Sequence, residues 1–140
     1  MKMLKWMSGL ALMLACAGLF SSCEREVETY YQYSVSDISM TGDPRATTVT
    51  TLYLDVLGWN GAEYIDNDAA TEKKAREQND REAIQEFNEK VAKYNEYTLY
   101  ARYAQEGISS AQGSFTYQVI RVEDAVVLQS KTFTVNYVAQ

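Results

Sequence analysis

Residues 69–94 read AATEKKAREQNDREAIQEFNEKVAKY, and the period of their apolar side chains decides the class of fold. Ile84, Phe87, Val91 and Tyr94 recur at steps of three and four, with Ala83 and Ala92 beside them, which is the spacing of one apolar stripe along an α-helix. Asp66 or Asp68 can cap its start. Glu72 with Arg76, Glu77 with Arg81, Glu86 with Lys90 and Glu89 with Lys93 are acid-before-base pairs four residues apart, each adding about 0.2–0.5 kcal/mol on an exposed face. The segment from Lys73 to Glu82 has Ala75 as its single apolar residue. That half is therefore expected to stay outside the core, either as a projecting, fraying end of the helix or as a solvated loop over residues 69–82.

On both sides of this helix the period is two. Tyr31, Tyr33 and Val35 alternate with Gln32, Ser34 and Ser36, as in a strand with one wet face. After the turn signal Gly42-Asp43-Pro44, residues 49–57 read as a second strand, with Leu52, Leu54 and Val56 on one face and Thr51, Tyr53 and Asp55 on the other. Beyond the helix, Leu99, Ala101 and Tyr103 suggest a third strand, and Phe115, Tyr117 and Val119 a fourth. A tight Glu123-Asp124 turn then leads to a fifth, with Phe133, Val135 and Tyr137 inward. The expected order is ββαβββ: an α+β fold of two layers, an antiparallel sheet of about five strands with one amphipathic helix on it. The alternative is an immunoglobulin-like β-sandwich with a helical insertion. Either arrangement makes residues 30–140 one domain.

The composition removes whole classes of chemistry. The 140 residues include no His, so neither a Ser-His nor a Cys-His nucleophile pair nor an imidazole metal site can form. A formal charge of −6 argues against nucleic acid as a partner, because phosphate binding needs clustered Lys and Arg. Glu63, Asp66, Asp68 and Glu72 place oxygen ligands close together. They lack the glycine and closing bidentate Glu of a calcium loop, and helix capping explains them better, so no metal and no cofactor are expected. The sequence has no nucleophile elbow, phosphate-binding glycine loop or Cys-x-x-Cys, and an enzyme is not expected. Trp59, Tyr64 and Tyr53 are the candidate ligand platform: exposed together at one end of the sheet, with Asn60 nearby, they would suit the ring faces of a glycan. The competing reading is that Trp59 plugs the core.

The N-terminus carries the most specific signal. Lys2 and Lys5 precede an apolar stretch from Trp6 to Phe20, followed by small residues and Cys23, the plan of a secretory signal peptide over residues 1–22. Leu19-Phe20-Ser21-Ser22-Cys23 resembles the lipobox of Gram-negative bacterial lipoproteins, with Cys16 after Leu14-Ala15 as an alternative site. The resemblance implies that Cys23 receives a diacylglycerol on its sulfur and becomes the new N-terminus. The protein would then be held in the outer membrane by acyl chains without spanning it. Residues 23–29 follow as a charged tether whose Glu24, Glu26 and Glu28 resemble the acidic tract that directs some such lipoproteins to the cell surface. The implied partners are the membrane, through Cys23, and either an envelope protein or a glycan.

Overall fold

The computed structural model describes residues 25–140. The leader, the lipobox and Cys23 lie outside the described residues. Seven elements follow in order: β1 (Arg25–Gly42), α1 (Ala46–Val56), β2 (Gly61–Ala69), α2 (Glu72–Ala92), α3 (Glu96–Gln105), β3 (Ser110–Arg121) and β4 (Val126–Val138). The four strands make one open sheet in the order β2-β1-β3-β4, antiparallel throughout. The architecture is α+β, with four strands and three helices where about five strands and one helix were expected. The single sheet among the described residues corrects the sandwich alternative.

Two expected strands are helices. In α1 the adjacent Tyr53 and Leu54 are both buried together with Ala46 and Thr50, while Leu52 and Val56 are exposed. Burial at i, i+4, i+7 and i+8 is a helical stripe, and a strand would have sent Tyr53 and Leu54 to opposite faces. Leu99 and Tyr103, read as one face of a strand, are likewise the buried i, i+4 pair of α3. Asn95 starts that helix, its side chain accepting from the Tyr97 and Thr98 amides. The two helices pack together through Thr50 and Tyr103, whose hydroxyls lie 2.6 Å apart, and through Arg45, which donates to the Glu106 carbonyl at 2.7 Å. Arg45 also forks onto Asp43, holding that carboxyl down at about 2.

The charged N-terminal half of α2 is regular helix and lies on the sheet, which corrects the expectation that it projects or frays. Thr71 caps it, in place of Asp66 or Asp68, by accepting from the Lys74 amide at 3.2 Å. Polar contacts do here what apolar packing does further on. Asn79 is fully buried, donates to the Val27 carbonyl and the Thr29 hydroxyl at 3.0 Å each, and accepts from Asn67 at 2.7 Å. The next residue, Asp80, accepts from the Tyr31 hydroxyl at 2.6 Å and pairs with Arg121 at 3.5 Å. A buried amide whose groups are all bonded is stable inside a core, whereas an unbonded one is costly.

Residues 25–29, expected in the charged tether, are the first rungs of β1 and pair with Ala69 through Ile65 of β2. A bulge between Ser36 and Ser39, with Asp37 at φ 53°, bends β1 across the sheet. At the bend β3 passes so close that a Cβ on Gly113 would collide with the Ser39 carbonyl oxygen, and the Gly113 φ of 156° also favours glycine.

Candidate functional site

The pleat sends alternate residues of each strand to opposite sides of the sheet. One side is the core: Tyr31, Tyr33, Ile65, Phe115, Tyr117, Val119 and Val135 are buried there beneath Phe87 and Ala83 of α2. Trp59, on the turn between α1 and β2, is fully buried in this layer. Its ring stacks on Tyr117 with centroids 4.1 Å apart, and its indole N–H donates to the Lys90 carbonyl at 2.7 Å. Tyr53 is 3 % exposed and bonds to the backbone of Asn95. Tyr64 faces the opposite side of the sheet. The expected platform of Trp59, Tyr64 and Tyr53 therefore does not assemble: two of its members are core residues, and the third is separated from them by the sheet.

Burial pushes the core hydroxyls of Tyr31, Tyr33 and Tyr117 well above the ordinary phenol value, and the Asp80 and Glu63 carboxylates that accept from Tyr31 and Tyr33 add to this. These tyrosines serve as neutral donors that fix the helical layer to the sheet.

The expected carboxylate cluster is divided in the same way. Glu63 points into the helical layer and accepts from Tyr33 at 2.7 Å, whereas Asp66 and Asp68 alternate to the other face. Among the described residues no group of three or more His, Cys, Asp or Glu side chains is placed to hold a metal ion. Asp55, on α1, accepts from Asn60 at 3.0 Å and so ties the turn that carries Trp59.

The other side of the sheet has none of the three helices packed on it, and it presents aromatic surface. Tyr30 of β1 and Tyr64 of β2 are register partners, 55 % and 47 % exposed, with ring centroids 5.6 Å apart at a tilt of 49°. The patch continues across the sheet. The Val122 amide donates to the Tyr30 carbonyl at 2.9 Å, and Ile120 lies between Gln32 on one side and Val127 on the other. Toward the far end the face becomes hydroxyl and amide, with Ser34, Ser36, Thr116, Gln118 and Thr132, the two threonine hydroxyls 2.9 Å apart. At the near end Glu26 faces Asp68 and Glu28 faces Asp66 across the β1–β2 ladder. Burial and those neighbouring carboxylates push the Glu26 carboxyl upward.

No known protein family, curated protein or solved structure matches the chain.

The chemistry of this face is that of contact: two tilted rings and three aliphatic side chains for apolar area, hydroxyls and amides for oriented hydrogen bonds, and along one margin the carboxylates of Glu26, Glu28 and Asp68, with Asp66 itself buried. Exposed aromatic surface of this kind supplies binding energy at small conformational cost, because a tyrosine ring fixes only two torsions. Tyr30 was legible only in part. It stands next to Tyr31 in the sequence, and alternation puts one ring inside and the other outside, but which of them is outside depends on where the helices lie.

Proposed function

We propose that the protein is a lipid-anchored lipoprotein of the outer membrane, tethered through Cys23, that acts as a non-catalytic interaction or structural component of the cell envelope. The lipobox-like sequence supports the anchor, and the lack of His supports the non-catalytic role. The observation that carries the interaction role is the Tyr30–Tyr64 pair, exposed on the side of the sheet where no described helix packs. A partner docks there by covering the rings and meeting the hydroxyl and amide margin. Patches of exposed apolar surface rimmed by polar groups mark such contacts.

The test is a C-terminally tagged full chain followed beside its Cys23→Ala form. Cys23→Ala releases the protein from membranes and abolishes incorporation of labelled fatty acid. Membrane attachment that survives the substitution overturns the anchored reading. Shaving of the tag from intact cells by an added protease assigns the surface face, and protection until the outer membrane is opened assigns the periplasmic one.

A further inference from the structure

β4 is an edge strand of thirteen residues, Val126–Val138, and it carries no carboxylate, in a chain with a formal charge of −6. The other edge differs: β2 carries Glu63, Asp66 and Asp68 and lies beside Glu26 and Glu28. An edge presents a row of unpaired amides and carbonyls, and proteins normally blunt it with charge, Pro, bulges or covering segments. Among the described residues β4 has one charge, Lys131 on its helical side, and is blunted along its backbone at two places. Leu128 is bulged out of the ladder where the register shifts between Val119 and Ile120. Near the other end the Asn136 amide, which points outward, donates to the Tyr100 hydroxyl at 3.0 Å.

Alternation from Asn136 places the backbone groups of Ser130, Thr132 and Thr134 outward as well. These three residues form an open window, and the window is symmetric about Thr132. We propose that β4 pairs with β4 of a second copy, antiparallel, about a two-fold axis at Thr132. In that register Thr132 meets the second Thr132, and each Ser130 meets a Thr134, so the outward groups exchange hydrogen bonds in facing pairs.

The ends of the window agree with this register. Asn136 of one copy, where Tyr100 already occupies the edge, falls opposite the bulged Leu128 of the other, so pairing stops at the same point from both sides. On the helical side Lys131 comes opposite Phe133 of the second copy, and its ammonium already lies 5.2 Å over the Phe133 ring within one chain. The sheet becomes continuous over eight strands, with all helices on one side, because the axis stands perpendicular to it. The two acidic β2 edges lie outermost, so the mutual repulsion of two acidic chains is least in this arrangement. The first residues of β1 then fall at opposite corners of the joined sheet. If Cys23 is lipidated as proposed above, both anchors enter one membrane with the sheet lying along it.

Cysteine cross-linking of the full chain in isolated membranes tests the pairing. Facing Cα atoms in a hydrogen-bonded antiparallel pair are about 5.5 Å apart, within the span of a disulfide. Under mild oxidant Thr132→Cys shifts to twice the apparent mass. Ser130→Cys alone stays at background, because its copies are four rungs apart, and Ser130→Cys co-expressed with Thr134→Cys cross-links as a pair. The unsubstituted chain sets the background for Cys16 and Cys23. Thr132→Pro removes an outward amide that no bond among the described residues uses, together with the exposed hydroxyl contact to Thr116, so the detergent-solubilised protein stays folded and its native mass halves. Equal cross-linking at residues 130 and 132, none at residue 132, or an unsubstituted chain that sediments as a monomer overturns the proposal. A cross-link from Thr132→Cys to a different protein overturns it in favour of strand addition by that partner.

Discussion

Trp59 and Tyr117 are bound twice over: their rings stack at 4.1 Å, and the Tyr117 hydroxyl donates to the Trp59 carbonyl at 2.7 Å. Phe87 of α2 also stacks on Tyr117, with ring centroids 5.0 Å apart. A turn residue, a strand residue and a helix residue thus share one aromatic column, which fixes the turn between α1 and β2 to the middle of the sheet. Trp59→Ala is expected to cost about 3–5 kcal/mol, the range for truncating a fully buried large ring. Tyr117→Phe keeps the stack but strands a buried carbonyl, at about 1–3 kcal/mol. Denaturant unfolding of the two variants checks the order, and a Trp59→Ala loss below that of Tyr117→Phe would contradict the column.

Asn79→Leu fills the same space but takes away the donor that the Val27 carbonyl and the Thr29 hydroxyl accept from, while the Asn67 amide loses one acceptor and keeps Glu82 at 2.8 Å. The expected loss is about 1–3 kcal/mol for each buried group left unbonded, reduced where water reaches it. Hydrogen exchange should show the loss locally: amides of residues 72–82 exchange faster, while those around Phe87 change less. Uniform protection along α2 would show that its charged half does not depend on this residue.

Stability should fall at alkaline pH. The hydroxyls of Tyr31, Tyr33 and Tyr117 are held above their ordinary value of 10.0, first by burial and then, for Tyr31 and Tyr33, by the carboxylates that accept from them. A group whose folded value is raised contributes its stability in full below the unfolded value and loses it as pH rises past that value. The unfolding free energy should thus be level with respect to these groups up to about pH 9 and decline above pH 10. Tyr31→Phe with Tyr33→Phe should make the decline shallower. An unchanged slope in the double variant would show that these two hydroxyls do not carry it.

Tyr30→Ser with Tyr64→Ser removes the exposed ring pair. Because both rings are about half exposed, the cost in stability should stay near that of one cross-strand pair, about 0.2–1 kcal/mol. The same variant should lose whatever association the face supports in the envelope, read as loss of co-sedimentation or cross-linking in membranes where the native chain shows it. Association that is unchanged in a folded double variant would move the docking surface elsewhere.

Some of this fold was legible residue by residue. The alternations at Tyr31-Tyr33-Val35, Phe115-Tyr117-Val119 and Phe133-Val135-Tyr137 each became a strand with the expected side inward, and Ile84-Phe87-Val91 became part of a helix. The failures share a cause. Residues 49–57 and 99–103 are short, β-branched or aromatic runs that fit both periods, and packing between α1 and α3 through Thr50, Tyr53, Leu99 and Tyr103 decided between them. Gly61–Ala69 has no apolar period that marks it as a strand, because an edge strand needs a ladder more than it needs apolar side chains, and β1 supplies that ladder.

The candidate site divides along the same line. By itself the sequence determined the chemistry the chain lacks, its acidic balance, the lipobox-like start and the alternation that puts Tyr30 and Tyr31 on opposite faces. Only the tertiary structure decided which face the helices cover, and with it that Trp59 and Tyr53 are core while Tyr30 and Tyr64 meet solvent. Periodicity is a property of neighbours along the chain and survives in the sequence. The side on which a second layer packs is settled by contacts between residues about fifty positions apart, such as Asn79 with Thr29 and Tyr31 with Asp80, and no local pattern encodes it.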